Sequence, residues 1–247
     1  MRAPSIVRGA VFLRSAALAG LSAALLALPG AAAARSYMVG SFDSVAVRGD
    51  VTVEMVSGGA PGAVADGSPD DLDRLTINRS GQRVTISMAP APRTGARRAA
   101  PVTVRLSARA VSRIAVEGSG RVRLDRLAGR EARVALAGPG YLEIGTAEAD
   151  RLFVSVIGSG KVVIAGGASD NADMTLSGAA TLDAPAFTTD RLAITLSGAS
   201  EASIAVDEIA RIGGGGAGKI VIGGGGDCIV EAAGTLSIDC PGFAPRR

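Results

Sequence analysis

Two thiols and a few spaced carboxylates are the side chains of this 247-residue chain that could do chemistry, because it contains no histidine. Without imidazole there is no His-dependent catalytic triad and no His-ligated zinc. Two cysteines cannot complete a Cys-rich metal site. Cys228 and Cys240 are left with two roles. One is a disulfide closing a loop of about a dozen residues and stapling the chain's end. The other is a thiol nucleophile, which here lacks a histidine to activate it. No cofactor and no metal are expected.

Glu143 and Asp183 are the carboxylates to test for acid–base work, since they fall two periods apart in the repeat described below. Parallel stacking separates them by roughly 9.6 Å, the edge of the range of about 6.5–9.5 Å for inverting glycosidases. Val163 lies between them, Arg123 is placed to pair with Glu143, and only Tyr141 is at hand to stack a sugar. A carbohydrate-active enzyme is therefore an alternative that rests on one spacing. Three further motifs dissolve in context. Arg48-Gly49-Asp50 matches an integrin-binding tripeptide but has the content of a tight turn between two strands. The G-x-G-x-x-G within Gly213–Gly218 precedes Lys219-Ile220-Val221-Ile222, a strand rather than the helix a dinucleotide needs. Gly223 to Asp227 resembles a calcium-binding nonapeptide, but Cys228 stands where its aspartate is required.

The elements that must position these residues are set by a repeat. Gly118, Gly138, Gly158, Gly178 and Gly198 recur every 20 residues, and a sixth unit starts two residues early at Gly216. Four residues after each leading glycine stand Val122, Leu142, Val162, Leu182 and Ala202; six after it, Leu124, Ile144, Ile164, Ala184 and Ile204. Arg123, Glu143, Val163, Asp183 and Ser203 lie between the two apolar columns, the alternation of a half-buried strand. A second strand ends each unit, as in Leu152, Val154 and Val156. An antiparallel meander with GSG hairpins also suits this pattern. Equal unit length favours a solenoid, whose stacked coils must share one circumference. Upstream, strands are expected at 44–47, 51–55, 75–78, 84–88, 102–106 and 113–116, with a solvated loop at 89–101. No helix with a 3.6-residue period is evident. The fold class is all-β: about six coils of ~20 residues at 117–243, preceded by a strand-rich part at 35–116.

In such a stack, Arg121, Tyr141, Lys161, Thr181, Glu201 and Lys219 form one exposed column of mixed charge, a candidate binding ladder. Residues 1–34 have the three parts of a secretory signal peptide: Arg2, Arg8 and Arg14, an apolar run from Ala16 to Leu28, and small residues Ala31–Ala34 before cleavage. No later segment is long and apolar enough to serve as a transmembrane anchor. The formal charge of +3 belongs to that leader: taking its three arginines from 26 leaves 23 basic residues against 23 acidic. Nucleic acid is accordingly not expected as a partner.

Ser-Phe-Asp-x-Val-x-Val-x-Gly at 41–49, Gly-Ser-Pro-x-x-Leu-Asp at 67–73, and GSG units at 118 and 158 with degenerate copies between and after give the chain a resemblance. Over nearly all of its length beyond the leader it resembles the GIN-domain family, which is described as an autotransporter adhesin head. The resemblance implies a right-handed parallel β-helix-like solenoid in one domain, residues 35–247, and exported proteins of the cell envelope. It carries no catalytic residues. The expected function is a non-enzymatic adhesin or binding module in the periplasm or outside the cell, contacting envelope glycans or surface proteins. A structural periplasmic protein without a specific ligand is the other non-enzymatic alternative. Oligomeric state is not set by anything in the sequence.

Overall fold

The computed structural model describes residues 33–90 and 101–243. The signal-peptide segment 1–34 falls almost wholly outside the described residues, as does most of the stretch 89–101. Among the described residues, no helix is long and apolar enough to cross a membrane.

Branched apolar residues alternating with polar ones favour strands, and strands are nearly all that forms. The N-terminal part contains β1 (Ala33–Tyr37), β2 (Ser44–Arg48), β3 (Thr52–Ser57) and β4 (Gly62–Gly67). Helix α1 (Pro69–Arg74), β5 (Leu75–Ser80), β6 (Arg83–Met88), β7 (Thr103–Ala108) and β8 (Arg113–Glu117) follow. All six strands expected upstream are present. The helix was not expected: at six residues it is too short for a periodic pattern to show.

Local chemistry builds that helix instead. The Ser68 hydroxyl accepts the Asp71 N–H at 3.2 Å and donates to the Asp71 carboxylate at 2.6 Å, an N-terminal cap ahead of Pro69. Arg74 donates to the same carboxylate. Ser68 first, then Arg74, hold the Asp71 carboxyl below its usual value. A carboxyl lowered on folding stabilises above its unfolded pKa, and that contribution is lost as pH falls through the folded value. Asp71→Asn should therefore lower the melting temperature at neutral pH. It should also flatten the fall in stability below about pH 4; identical acid limbs for the two proteins would contradict this role.

The repeat region contains β9 (Arg121–Ala137), β10 (Tyr141–Gly158), β11 (Lys161–Ile164), β12 (Gly167–Gly178), β13 (Thr181–Gly198) and β14 (Glu201–Gly216). It closes with β15 (Lys219–Gly223), β16 (Asp227–Gly234), β17 (Ser237–Asp239) and β18 (Gly242–Phe243). Along β10, Leu142, Ile144, Ala147, Leu152, Val154 and Val156 are buried. The alternation is reset where two consecutive residues face out, at 145–146 and again at 150–151. Each coil thus has three faces: the first at 141–144, a short second at 147–149, and the third at 152–157. Pairing between coils is parallel, Leu142 with Val122 and Val162, Val154 with Val134 and Met174. That register selects the solenoid of six turns over the meander. The inward ladders join one core that runs from Val39 to Cys228.

The leading glycines form the sharp corner between the third face and the next first face. Gly118, Gly138, Gly158, Gly178, Gly198 and Gly216 all take φ between +79° and +123°. A Cβ on Gly178 would lie 2.5 Å from the Gly158 carbonyl oxygen of the coil below. Backbone stacks on backbone there, so only glycine fits. The early start of the sixth unit is absorbed between β13 and β14. Their offset is 20 residues at Ala184↔Ile204, 17 at Thr188↔Ala205 and 18 from Arg191↔Ile209 onward. The two missing residues come out of the second face of that coil.

The N-terminal strands do not stack in chain order. On the third face β2 lies between β6 and β8, and on the first face β3 lies between β7 and β9. The segment 44–57 is therefore laid down early in the chain but hydrogen-bonded on both sides by segments that come later. Beyond it the parallel stack ends in antiparallel strands: β4 on β7, β1 on β4, and β5 on β6. These replace the bare edge that a truncated coil would leave.

At the opposite end Cys228 and Cys240 form a disulfide, Cα atoms 6.6 Å apart and 12 residues apart in sequence. It ties the connection between β17 and β18 to β16 in the preceding coil. Replacing both cysteines by serine should weaken this last coil by about 2–3 kcal/mol. Hydrogen exchange is expected to show faster exchange at 237–243 with β9 and β10 unchanged. Uniform loss of protection, or none, would place the stapling role elsewhere.

Candidate binding faces

The first face brings together every member of the expected ladder. Arg121, Tyr141, Lys161, Thr181, Glu201 and Lys219 are direct neighbours on successive parallel strands. The column is longer than the repeat indicates. Thr52 and Thr103 extend it at one end and Ser237 at the other. Those residues lie outside the 20-residue register, and only the stacking of β3, β7 and β17 shows that they belong.

The geometry is that of a ladder bonded to itself. The Arg121 guanidinium lies over the Tyr141 ring, 5.1 Å from its centre. The Tyr141 hydroxyl donates to Glu143 at 3.3 Å, and Arg123 reaches the same carboxylate at 3.1 Å. One coil on, Lys161 pairs with Asp183 at 2.9 Å. Nearer the N-terminal end Arg105 bridges Glu54 at 3.6 Å and Asp66 at 2.6 Å. Exposed pairs of this sort contribute little stability, in the range of about 0–1 kcal/mol each. What they do is fix long side chains in place across the face.

These contacts bear on the carboxylates considered for acid–base chemistry. Glu143 and Asp183 share the outward column with Val163 between them, and each already accepts from a cation. Among the described residues no group of three or more Asp, Glu or Cys side chains is arranged to hold a metal ion. The Arg48-Gly49-Asp50 tripeptide sits at a coil corner: Gly49, at φ +92°, underlies Gly118, and Arg48 pairs with Glu117 at 3.0 Å. Gly213–Gly216 belongs to β14, not to a helix start.

The other corners and faces differ in character. At the corner between first and second faces, Ser57, Gly58, Arg109, Val111, Asp125 and Arg126 line a shallow cleft. Its polar groups are mostly engaged, with the Ser57 N–H on Asp125 at 2.9 Å and Arg126 paired to Glu148. The third face is flat. Its central outward column runs Ala115, Ala135, Ser155, Thr175 and Thr195.

Residues 41–226 match the family described as "Putative auto-transporter adhesin, head GIN domain". The chain belongs to the GIN-domain family. Solved structures share the GIN-domain chain's fold. One is a "putative adhesin" from Bacteroides fragilis, 14% identical, with a TM-score of 0.72 over 85% of this chain and 97% of that one. Another is a "Putative lipid binding protein" from Parabacteroides distasonis, 17% identical, with a TM-score of 0.66 over 87% and 98%. At these identities the likeness establishes the fold alone. No curated protein matches the chain.

Proposed function

We propose that this GIN-domain chain is an exported, non-enzymatic binding module of the cell envelope, an adhesin-like surface for envelope glycans or surface proteins. The observation that carries this reading is the in-register column Arg121–Tyr141–Lys161–Thr181–Glu201–Lys219, in which Arg121 stacks on Tyr141 and the adjoining carboxylates Glu143 and Asp183 hold Tyr141 and Lys161. Side chains fixed at strand spacing lose little freedom when a repeating polymer is laid across them, and this lowers the entropic cost of binding. The interior cannot take part, because its positions are filled by the packed Val, Leu and Ile ladders. A ligand must therefore bind on an outer face. Family membership and the disulfide support an extracytoplasmic setting, as does the apolar N-terminal run after Arg2, Arg8 and Arg14.

The test is a glycan, peptidoglycan and surface-protein array probed with the protein recovered from cells after expression at full length. Its N-terminus should be Ala34 or Arg35. Reproducible binding that Tyr141→Ala and Lys161→Ala each weaken by about tenfold is expected, the size of a lost interface anchor. A blank array, or binding indifferent to both substitutions, overturns the assignment to this face. Turnover of a polysaccharide abolished by Glu143→Gln would overturn the non-enzymatic reading.

A further inference from the structure

The third face has a symmetry that the first lacks. Two columns flank its centre on the rungs of β8, β9, β10, β12 and β13: Arg113, Arg133, Phe153, Asp173, Ala193 and Glu117, Ala137, Ile157, Ser177, Ser197. The β10 rung carries the apolar groups. Ile157 is 56% exposed, and the half-buried Phe153 ring has the Arg133 guanidinium 4.7 Å from its centre. One rung to either side of Phe153 the charges are opposite, Arg133 below and Asp173 above. Among the described residues Asp173 has no ion-pair partner, whereas Arg133 pairs with Glu131.

We infer that this face docks a second copy of the chain, face to face, about a two-fold axis lying along β10. That operation keeps each column facing itself and inverts the order of rungs. Phe153 then meets Phe153, Ile157 meets Ile157, and Arg133 of each copy meets Asp173 of the other. Arg113 falls opposite Ala193, Glu117 opposite Ser197, Ala137 opposite Ser177, Ala135 opposite Thr175, and Ala115 opposite Thr195. Within the columns of Phe153, Ser155 and Ile157 no like charges meet and no two large side chains meet away from the axis; Arg151, exposed two residues before Phe153 at the corner, is the one charge that faces its own copy. Shifting the axis by one rung loses the Arg133–Asp173 contacts: on β9 Arg133 would face Arg133 and Arg113 would face Phe153, and on β12 Asp173 would face Asp173.

Size sets the strength. Five rungs at about 4.8 Å and five residues at about 3.3 Å make a patch of about 400 Å² per copy, half that of a standard interface. The dimer is therefore of the weak, transient class. It concentrates two first faces on one particle, so even a weak dimer raises the avidity of a surface-bound protein.

Sedimentation equilibrium over a concentration series tests the inference. Wild-type protein should show a reversible monomer–dimer equilibrium. Arg133→Asp and Asp173→Arg each place like charges together twice and should raise the dimer Kd by about tenfold or more. Mixed in equal amounts, the two variants restore both opposite-charge contacts, and heterodimer should return to within about threefold of wild type. Recovery on mixing also shows that each variant is folded. A chain that stays monomeric to about 1 mM, the weak end of the affinity scale, overturns the proposal and leaves the face to another occupant. So does a dimer unaffected by either substitution, or a mixture no better than its parts.

Discussion

Gly167→Ala is expected to destabilise the chain by about 3–5 kcal/mol, while Gly166→Ala, one residue earlier, changes stability by no more than about 0.5 kcal/mol. The two glycines share a sequence neighbourhood and differ in what surrounds them. Gly167 has φ +116°, and a Cβ there would run into the Ala147 carbonyl oxygen, carbon and nitrogen of the coil below. Gly166 is not left-handed, and its nearest neighbour to a Cβ is the Ala186 oxygen at 3.9 Å. At Gly167 the obstacle is backbone, which cannot rotate away as a side chain could. To make room, the coil must lift off the Ala147–Gly166 hydrogen bond, 3.0 Å in the native ladder. Urea unfolding of the two variants, compared through their midpoints at constant m, measures the difference. Equal losses would mean that the close approach of these coils is not a feature of the folded protein.

That contrast marks where the sequence stops being readable. The corner glycines are legible because they recur, and recurrence identifies backbone stacked on backbone without any coordinates. Gly167 does not recur. Its column holds Leu127, Ala147 and Phe187 in the neighbouring coils, so nothing in the 20-residue pattern distinguishes it from Gly166. The same holds for the N-terminal strands. Their positions follow from alternation, which is a local property. The placing of β2 and β3 between segments that come 30 or more residues later does not. It arises from long-range pairing, which leaves no periodic trace.

The outward column from Arg121 to Lys219 was legible for a related reason: in a solenoid, the sequence register is the spatial register. Residues 20 apart become neighbours, as Arg123 and Glu143 do. The register alone could not say which charges on the first face are answered within it: Lys161 pairs diagonally with Asp183, 22 residues away, whereas Glu201 and Lys219 have no ion-pair partner among the described residues. Nor could it separate a solvated face from one with an unanswered Asp173.

Phe187→Ala is expected to cost about 3–5 kcal/mol, the range for removing a buried aromatic ring. The aromatic content of the chain is 3%, and a narrow solenoid interior explains the scarcity, since stacked coils bring identical inward positions to strand spacing. Within the repeat region Phe187 is an exception, with no surface exposed. Two circumstances admit it. Below it the column is Gly167 and then Ala147, which leave volume on the inside of the second face. Above it the next coil is two residues shorter, and the register with β14 skips from Ala184 to Thr188, passing Phe187 over. The ring thus fills space that a small residue and a contracted coil leave between them, and nothing nearby can collapse into it cheaply. Phe187→Leu, which keeps most of the volume, should lose no more than about 1.5 kcal/mol. In a solenoid the damage should also be local, because each coil is held chiefly by its neighbours. Hydrogen exchange ought to rise first in β12, β13 and β14 and last in β9. A loss under about 1 kcal/mol for the alanine variant, or faster exchange spread evenly from β9 to β16, would show that this ring does not bridge the contracted coil.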